Sequence, residues 1–235
     1  MTTVFLIRHG ITAQTGRILY GQTRGIGLDE RGRAQAEQLA ERFSSVKLTA
    51  IYSSPLERCV QSVEPLSASK RLPIVERDEL IEMHAGSWTG RSLARLRRTK
   101  AWREVHASPS TFRFPDGGES FAEAQARVVG AIGAIARRHR RGRVAIATHG
   151  DIARIFLAHA HGMPLDAFQR LVVDTASVSV VERVGDDWRV LLVNDTGGLE
   201  RFATTPVPPW ESSDDATRPG VASTRPARAS GDVAG

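Results

Sequence analysis

The sequence of 235 residues predicts an α/β fold in which helices cover a largely parallel sheet, and three observations carry that expectation. Apolar strand-like runs alternate with amphipathic helical stretches over about residues 1–203, the pattern of a layered α/β domain. The runs Val4 to Ile7 and Val144 to Ala147 are uninterrupted, as expected of strands buried on both faces. Both lead into His-Gly, at His9-Gly10 and His149-Gly150, so two strands end in similar loops.

The first strand spans Thr3 to Ile7 and is followed by a long loop. Ala36, Leu39, Ala40 and Phe43 then repeat at helical spacing. A short strand at Ala50 to Tyr52 meets Ser53-Ser54-Pro55, which predicts a serine-capped helix with proline in its first turn. That helix carries Leu56, Cys59, Val60 and Val63 on one face, so Cys59 is expected as a buried small hydrophobe. Pro73 to Val75 gives another short strand, and the Arg-rich section to Gly118 reads as an insertion over the sheet edge. Phe121, Ala124, Val128, Ala131, Ile132 and Ile135 mark a third helix. Arg143 to Thr148 is the next strand, and Ile152, Ile155, Phe156 and His159 mark the helix face after it. Ser177 to Val184 and Trp188 to Asn194 flank Gly185-Asp186-Asp187 as an edge hairpin. From Thr204 the chain is rich in Pro, Ser, Ala, Gly and Thr, so residues 204–235 are expected to form a disordered tail.

Composition excludes several classes. With 41% apolar and 25% charged residues the chain is an ordinary globular protein, not one disordered throughout. No apolar run approaches the roughly 18 residues of a membrane span, and no basic, apolar leader opens the chain, so neither membrane nor secretion is expected. The single cysteine, Cys59, permits no internal disulfide and no cysteine-based zinc cage, which makes a reducing cytoplasm the default. A net charge of +6, carried almost entirely by arginine, suits anionic partners. The clusters Arg91 to Arg103 and Arg137 to Arg143 read as solvated helix faces rather than a nucleic-acid groove, because no aromatic residues interleave with the second one. On oligomeric state the sequence is silent, with a homodimer an open option.

In open α/β sheets ligands sit beyond the carboxyl ends of the strands, so His9 and His149 are expected to face one pocket. Gly10 and Gly150 let backbone approach a ligand closely. Helices opening near Gly150 and Pro55 aim free N–H groups and a positive dipole end at the same crevice. Arg8 beside His9, and Arg58 in the first turn after Ser54, add two forked cations that match a phosphate dianion. A neutral His9 could then attack phosphorus, with His149 and the arginines stabilising the charge on the equatorial oxygens. The leaving oxygen needs a proton, for which Glu82, Glu79 and Asp78 are all candidates by position.

The segments VFLIRHGIT, YSSPLERCVQS, LIEMHAGSWTG and IATHGD, in this order over about residues 4 to 200, resemble the histidine phosphatase superfamily, which includes the phosphoglycerate mutases. FPDGGES, FQRLVVDTASVSVVE and LLVNDTGGL resemble an actinobacterial branch of it described as phosphomutases. The resemblance implies a three-layer sandwich, phosphoglycerate mutase-like, with a small helical insertion over the active site. It implies His9 as the phosphorylated nucleophile, with Arg8, Arg58 and His149 around the phosphate and Glu82 as proton donor. It also implies substrate-side roles for Gly10, Thr12, Thr15, Tyr20, Gly21, Gly150 and Asp151. Thr15 replaces a frequent Asn, Tyr20 precedes the loop glycine where another polar residue is common, Arg24 replaces an aspartate, and Thr89 stands in a common Trp-Glu-Gly.

The expected activity is cytoplasmic, metal-independent and cofactor-independent hydrolysis of a small phosphorylated metabolite. Phosphomutase activity is the alternative, and hydrolysis is favoured because the insertion is shorter than in the mutases. Rival readings are a non-catalytic phosphate-binding module, an arginine-driven nucleic-acid binder, and a metal hydrolase built on His149, Asp151, His159 and His161.

Overall fold

A computed structural model describes residues 1–197; the tail expected over residues 204–235 lies outside the described residues. Its strands are β1 (Thr2–Arg8), β2 (Ala50–Ser53), β3 (Ile74–Glu76), β4 (Arg143–Thr148), β5 (Val178–Val184) and β6 (Asp187–Asp195). Its helices are α1 (Glu30–Arg42), α2 (Glu57–Lys70), the short α3 (Leu93–Leu96), α4 (Lys100–Ala107), α5 (Phe121–Arg138) and α6 (Gly150–Ala160). The sheet runs β3-β2-β4-β1-β5-β6. From β3 to β1 the pairs are parallel, and the β5–β6 hairpin joins antiparallel to β1.

Side-chain alternation along β1 explains the three layers, because successive residues of a strand point to opposite faces. Phe5 and Ile7 pack with Leu39 and Phe43 of α1 and with Cys59 and Val63 of α2. Val4 and Leu6 face the other way, into a cluster holding Val128 and Ile132 of α5 and Ile152 and Phe156 of α6. Phe5, Ile7, Val144 and Ile146 are all fully buried, so the continuous apolar runs of the two central strands have a packing cause.

Local chemistry sets the helix starts. Asp29 caps α1, its carboxylate accepting from Gly32 N–H at 2.8 Å. Ser120 and Glu123 form a reciprocal capping box on α5. The serine cap expected at Ser53-Ser54-Pro55 does not form. The helix begins at Glu57 behind Leu56, and the Ser54 hydroxyl serves elsewhere, as described below. Likewise His159 leaves the apolar face expected for α6 and is exposed at the end of the helix, while Ile152, Ile155 and Phe156 are buried. The Arg-rich section is not laid on the edge strand. Its single-turn helices at Asp78–Leu80 and Pro109–Thr111 pack on α5, and α4 packs on the Leu165–Arg170 turn, so the section roofs the carboxyl ends of the strands.

Candidate active site

The strand register builds the centre of the site. Arg8 of β1 pairs with Thr148 of β4, so the next residues, His9 and His149, leave adjacent parallel strands side by side. Their rings lie 5.3 Å apart between centroids, at 64°. His9 Nδ1 is 2.7 Å from the Gly10 carbonyl. A carbonyl only accepts, so Nδ1 carries the proton and Nε2 carries the lone pair. Burial, then the Arg58 charge and, more weakly, Arg8 push the His9 pKa down to about 3 against the raising effect of the Gly10 bond, so the ring is neutral near pH 7.

His149 is fully buried at the N-cap of α6, and no cap bond engages its ring. Its Nε2 meets the Ser54 hydroxyl at 2.8 Å, with Cys59 Sγ at 3.4 Å. Burial, followed by the charge of Arg58, holds its pKa well below the usual value. The Cys59 thiol is itself pushed up by burial, so it stays protonated and packs as expected.

Two guanidiniums supply the positive field. Arg58 is fully buried, and its terminal nitrogens donate to the carbonyls of Gly21 (2.7 Å) and Thr23 (3.2 Å) while it lies 4.7 Å above the Tyr20 ring. Arg8 donates to the Val173 carbonyl at 2.6 Å. The Nε atoms of both arginines are buried and have no hydrogen-bond partner. A Cβ on Gly150 would sit 3.2 Å from Arg8 Nε, so the glycine lets the start of α6 close on the guanidinium. Buried donors left over in this way favour an anionic guest, because leaving a charged donor unpaired in a low dielectric is costly.

Glu82 completes the group from the roof. Its pKa is pushed up to about 7, first by desolvation and then by the nearby Asp151 charge, against the lowering effects of the Met83 N–H, Arg58 and Arg8. The backbone on both sides of it is fastened. Arg127 donates to the carbonyls of Glu79 (2.8 Å) and Ile81 (2.9 Å) while pairing with Glu119 at 2.8 Å. Thr148 Oγ1 donates to Leu80 O at 2.7 Å, and the Gln22 amide donates to the carbonyl of Glu82 itself, also at 2.7 Å. Of the three acids left open by position, Glu82 alone lines the cavity; Glu79 pairs with Arg77 at 2.7 Å.

A cavity of about 540 Å³ is lined by Arg8, His9, Thr15, Tyr20, Gly21, Glu82, Gly150 and Asp151 among the expected residues. Arg58, His149, Gly10 and Thr12 are not in the lining but stand against residues that are. Gly10 N–H is taken by Ser62 Oγ at 2.8 Å, and Thr12 bonds the Thr15 hydroxyl at 3.1 Å. Asp151 pairs with Arg154 at 3.0 Å. The residues of the metal-hydrolase rival are not brought together, since His149 is held by Ser54 while His159 and His161 are exposed; among the described residues no such cluster occurs. No described helix is long and apolar enough to cross a membrane.

Sequence reasoning missed Ser54, Ser62, Arg127 and Glu119. Ser62 follows Arg58 by one helical turn and is fully buried, so a serine directly behind an arginine on a buried helix was a readable signal. For Ser54 the sequence signals only a cap, and its contact with His149 carries no local signal.

Comparison with known proteins agrees with this geometry. Phosphoserine phosphatase 1 of Hydrogenobacter thermophilus is 30% identical over 207 residues, covering 86% of this chain and 96% of its own. A probable phosphoglycerate mutase, GpmB, of Proteus mirabilis is 31% identical over 192 residues, covering 80% and 88%. The solved structure of Bacillus stearothermophilus YhfR superposes with a TM-score of 0.78 at 30% identity, covering 84% of this chain and 98% of that one. Residues 4–196 match the family described as the histidine phosphatase superfamily (branch 1), and with the paired histidines at two strand ends the chain belongs to that superfamily.

Proposed function

We propose that the protein is a phosphomonoester phosphatase that works through a phosphohistidine on His9. The observation that carries this reading is the joint placement, around one cavity, of a neutral His9 with a free Nε2 lone pair and a carboxyl group whose pKa is raised to about 7. Binding a phosphate needs the arginines but not that pair, which disfavours a purely binding module.

In the first step His9 Nε2 attacks phosphorus, the P–N bond forms and the ester P–O bond breaks. Glu82 gives its proton to the leaving alkoxide. In the second step water attacks the phosphohistidine, its proton goes to the Glu82 carboxylate, the P–N bond breaks and inorganic phosphate leaves. Arg8, Arg58, His149 and the opening N–H groups of α6 stabilise the charge on the equatorial oxygens. Thr12, Thr15 and Gly10 hold the loop after the nucleophile, while Tyr20, Gly21, Gly150 and Asp151 shape the walls. The fully buried Cys59 suits a reducing cytoplasm.

The relatives are named both as a phosphatase and as a probable mutase, and the two activities differ in whether water or a second hydroxyl takes the phosphoryl group. Screening sugar phosphates, phosphoglycerates, phosphoserine and nucleotides while measuring free phosphate and positional isomers separately decides between them. Release without isomerisation is expected. Isomerisation without release would make the protein a mutase, and neither would remove the catalytic reading.

A further inference from the structure

The cavity holds more than a phosphoester centre requires. Its volume of about 540 Å³ lies in the range of sites that enclose a ligand of drug size. Beyond the groups assigned to the phosphate, much of the lining has no polar side-chain atom: Ile18, Leu19, Leu93, Val105, Leu171 and Val172, from separate segments of the chain. Val172 is 60% exposed, a large aliphatic side chain held partly in water on the wall of a cavity. Such a wall offers nothing to the carboxylate or ammonium group that a phosphorylated three-carbon acid presents close to its ester oxygen. The cations in the rest of the lining are either paired or screened by water, which weakens their pull on a charged substituent. Arg154 is already paired with Asp151 at 3.0 Å, and Arg97 and His106 are exposed.

We infer that this wall is a subsite for an apolar chain or ring attached to the phosphate. Resting on the phosphatase reading, this assigns the substrate class as phosphomonoesters of extended aliphatic or aromatic alcohols, with Leu171 and Val172 setting the preference. Burial of each added methylene against such a surface is worth about a fourfold gain in affinity. That gain has nothing to do with the chemistry at phosphorus, so the two can be separated.

The test uses n-alkyl phosphates from methyl to octyl, whose leaving groups have nearly equal basicity. kcat/KM is expected to rise about fourfold per methylene until the cavity is filled, and hexyl phosphate to outrun phosphoserine. The matching n-alkylphosphonates, which have no ester to cleave, are expected to bind more tightly by the same factor per methylene in calorimetry. L171N and V172N should flatten both series, costing octyl phosphate far more than methyl phosphate; Val172 is exposed enough that its replacement does not threaten folding. A flat series in both measurements, or phosphoserine preferred over every alkyl phosphate, overturns the inference. Phosphonate affinity that climbs with chain length while no ester is hydrolysed supports the subsite and removes the catalytic reading instead.

Discussion

Glu82 and Asp151 set the pH behaviour expected of the site. In the proposed mechanism the Glu82 carboxyl must be protonated to donate to the leaving oxygen, and its pKa is raised to about 7 by desolvation and by Asp151. kcat/KM should therefore fall as pH rises through about 7, whereas His9, lowered to about 3, stays neutral across the same range. E82Q is expected to remove that limb and to cost about 10²- to 10⁴-fold on alkyl esters, with a smaller loss on aryl esters, whose oxygen needs no proton. D151N removes one of the charges that raise Glu82, so its limb should move to lower pH. A pH–rate series on the parent and both variants checks all three. The placement of His9, His149, Arg8 and Arg58 was legible residue by residue, since it follows from strand ends and helix starts. Glu82 was not separable from Glu79 and Asp78 by position, because the choice depends on which of them the roof turns into the cavity. Ser54 was legible only as a cap, because its partner, His149, is far away in sequence.

The roof segment acts as one element, and its fastening decides where Glu82 sits. Arg127 ties α5 to the carbonyls of Glu79 and Ile81 while Glu119 holds the guanidinium on the other side. R127M should lower kcat at least tenfold with little change in KM and shift the basic limb of the pH profile, because Glu82 loses its position and surroundings; a loss of about 2 kcal/mol in stability accompanies it. A purely structural role would lower stability and leave the pH limb in place. Gly86 takes a positive φ of 53°, and a Cβ there would come 1.7 Å from the Pro115 carbonyl. G86A is therefore expected to destabilise by about 1–3 kcal/mol, a fall in Tm of about 2–4 °C for each kcal/mol at this size, read by thermal unfolding. The strands were legible from periodicity to within a residue at their ends, and α1, α5 and α6 by their apolar faces rather than their bounds, whereas α3 and α4 carried no such signal. The start of α2 was not legible, because Pro55 and the two serines mimic a cap that the Ser54 to His149 bond overrides. The roof was not legible either. Its packing on α5 is a tertiary contact with no periodic signature in a polar, Arg-rich stretch.

For the whole molecule, the register of β1 against β4 makes the site. Two distant strands end at the same pair, so that His9 and His149 follow one residue past it, and helices on both faces of the sheet bury the result. The fold class followed from alternating strands and helices, but the partnership of β1 with β4 did not, since pairing order is fixed by packing across the sheet rather than by local pattern. The central claim is a covalent one, that phosphorus bonds to His9 during turnover. Rapid acid-free quenching with a radiolabelled phosphomonoester, followed by peptide mapping, tests it directly. The account predicts an acid-labile, base-stable label on His9 that forms faster than phosphate is released and is absent from H9A. Steady release of phosphate with no label on His9, or with H9A as active as the parent, would contradict it.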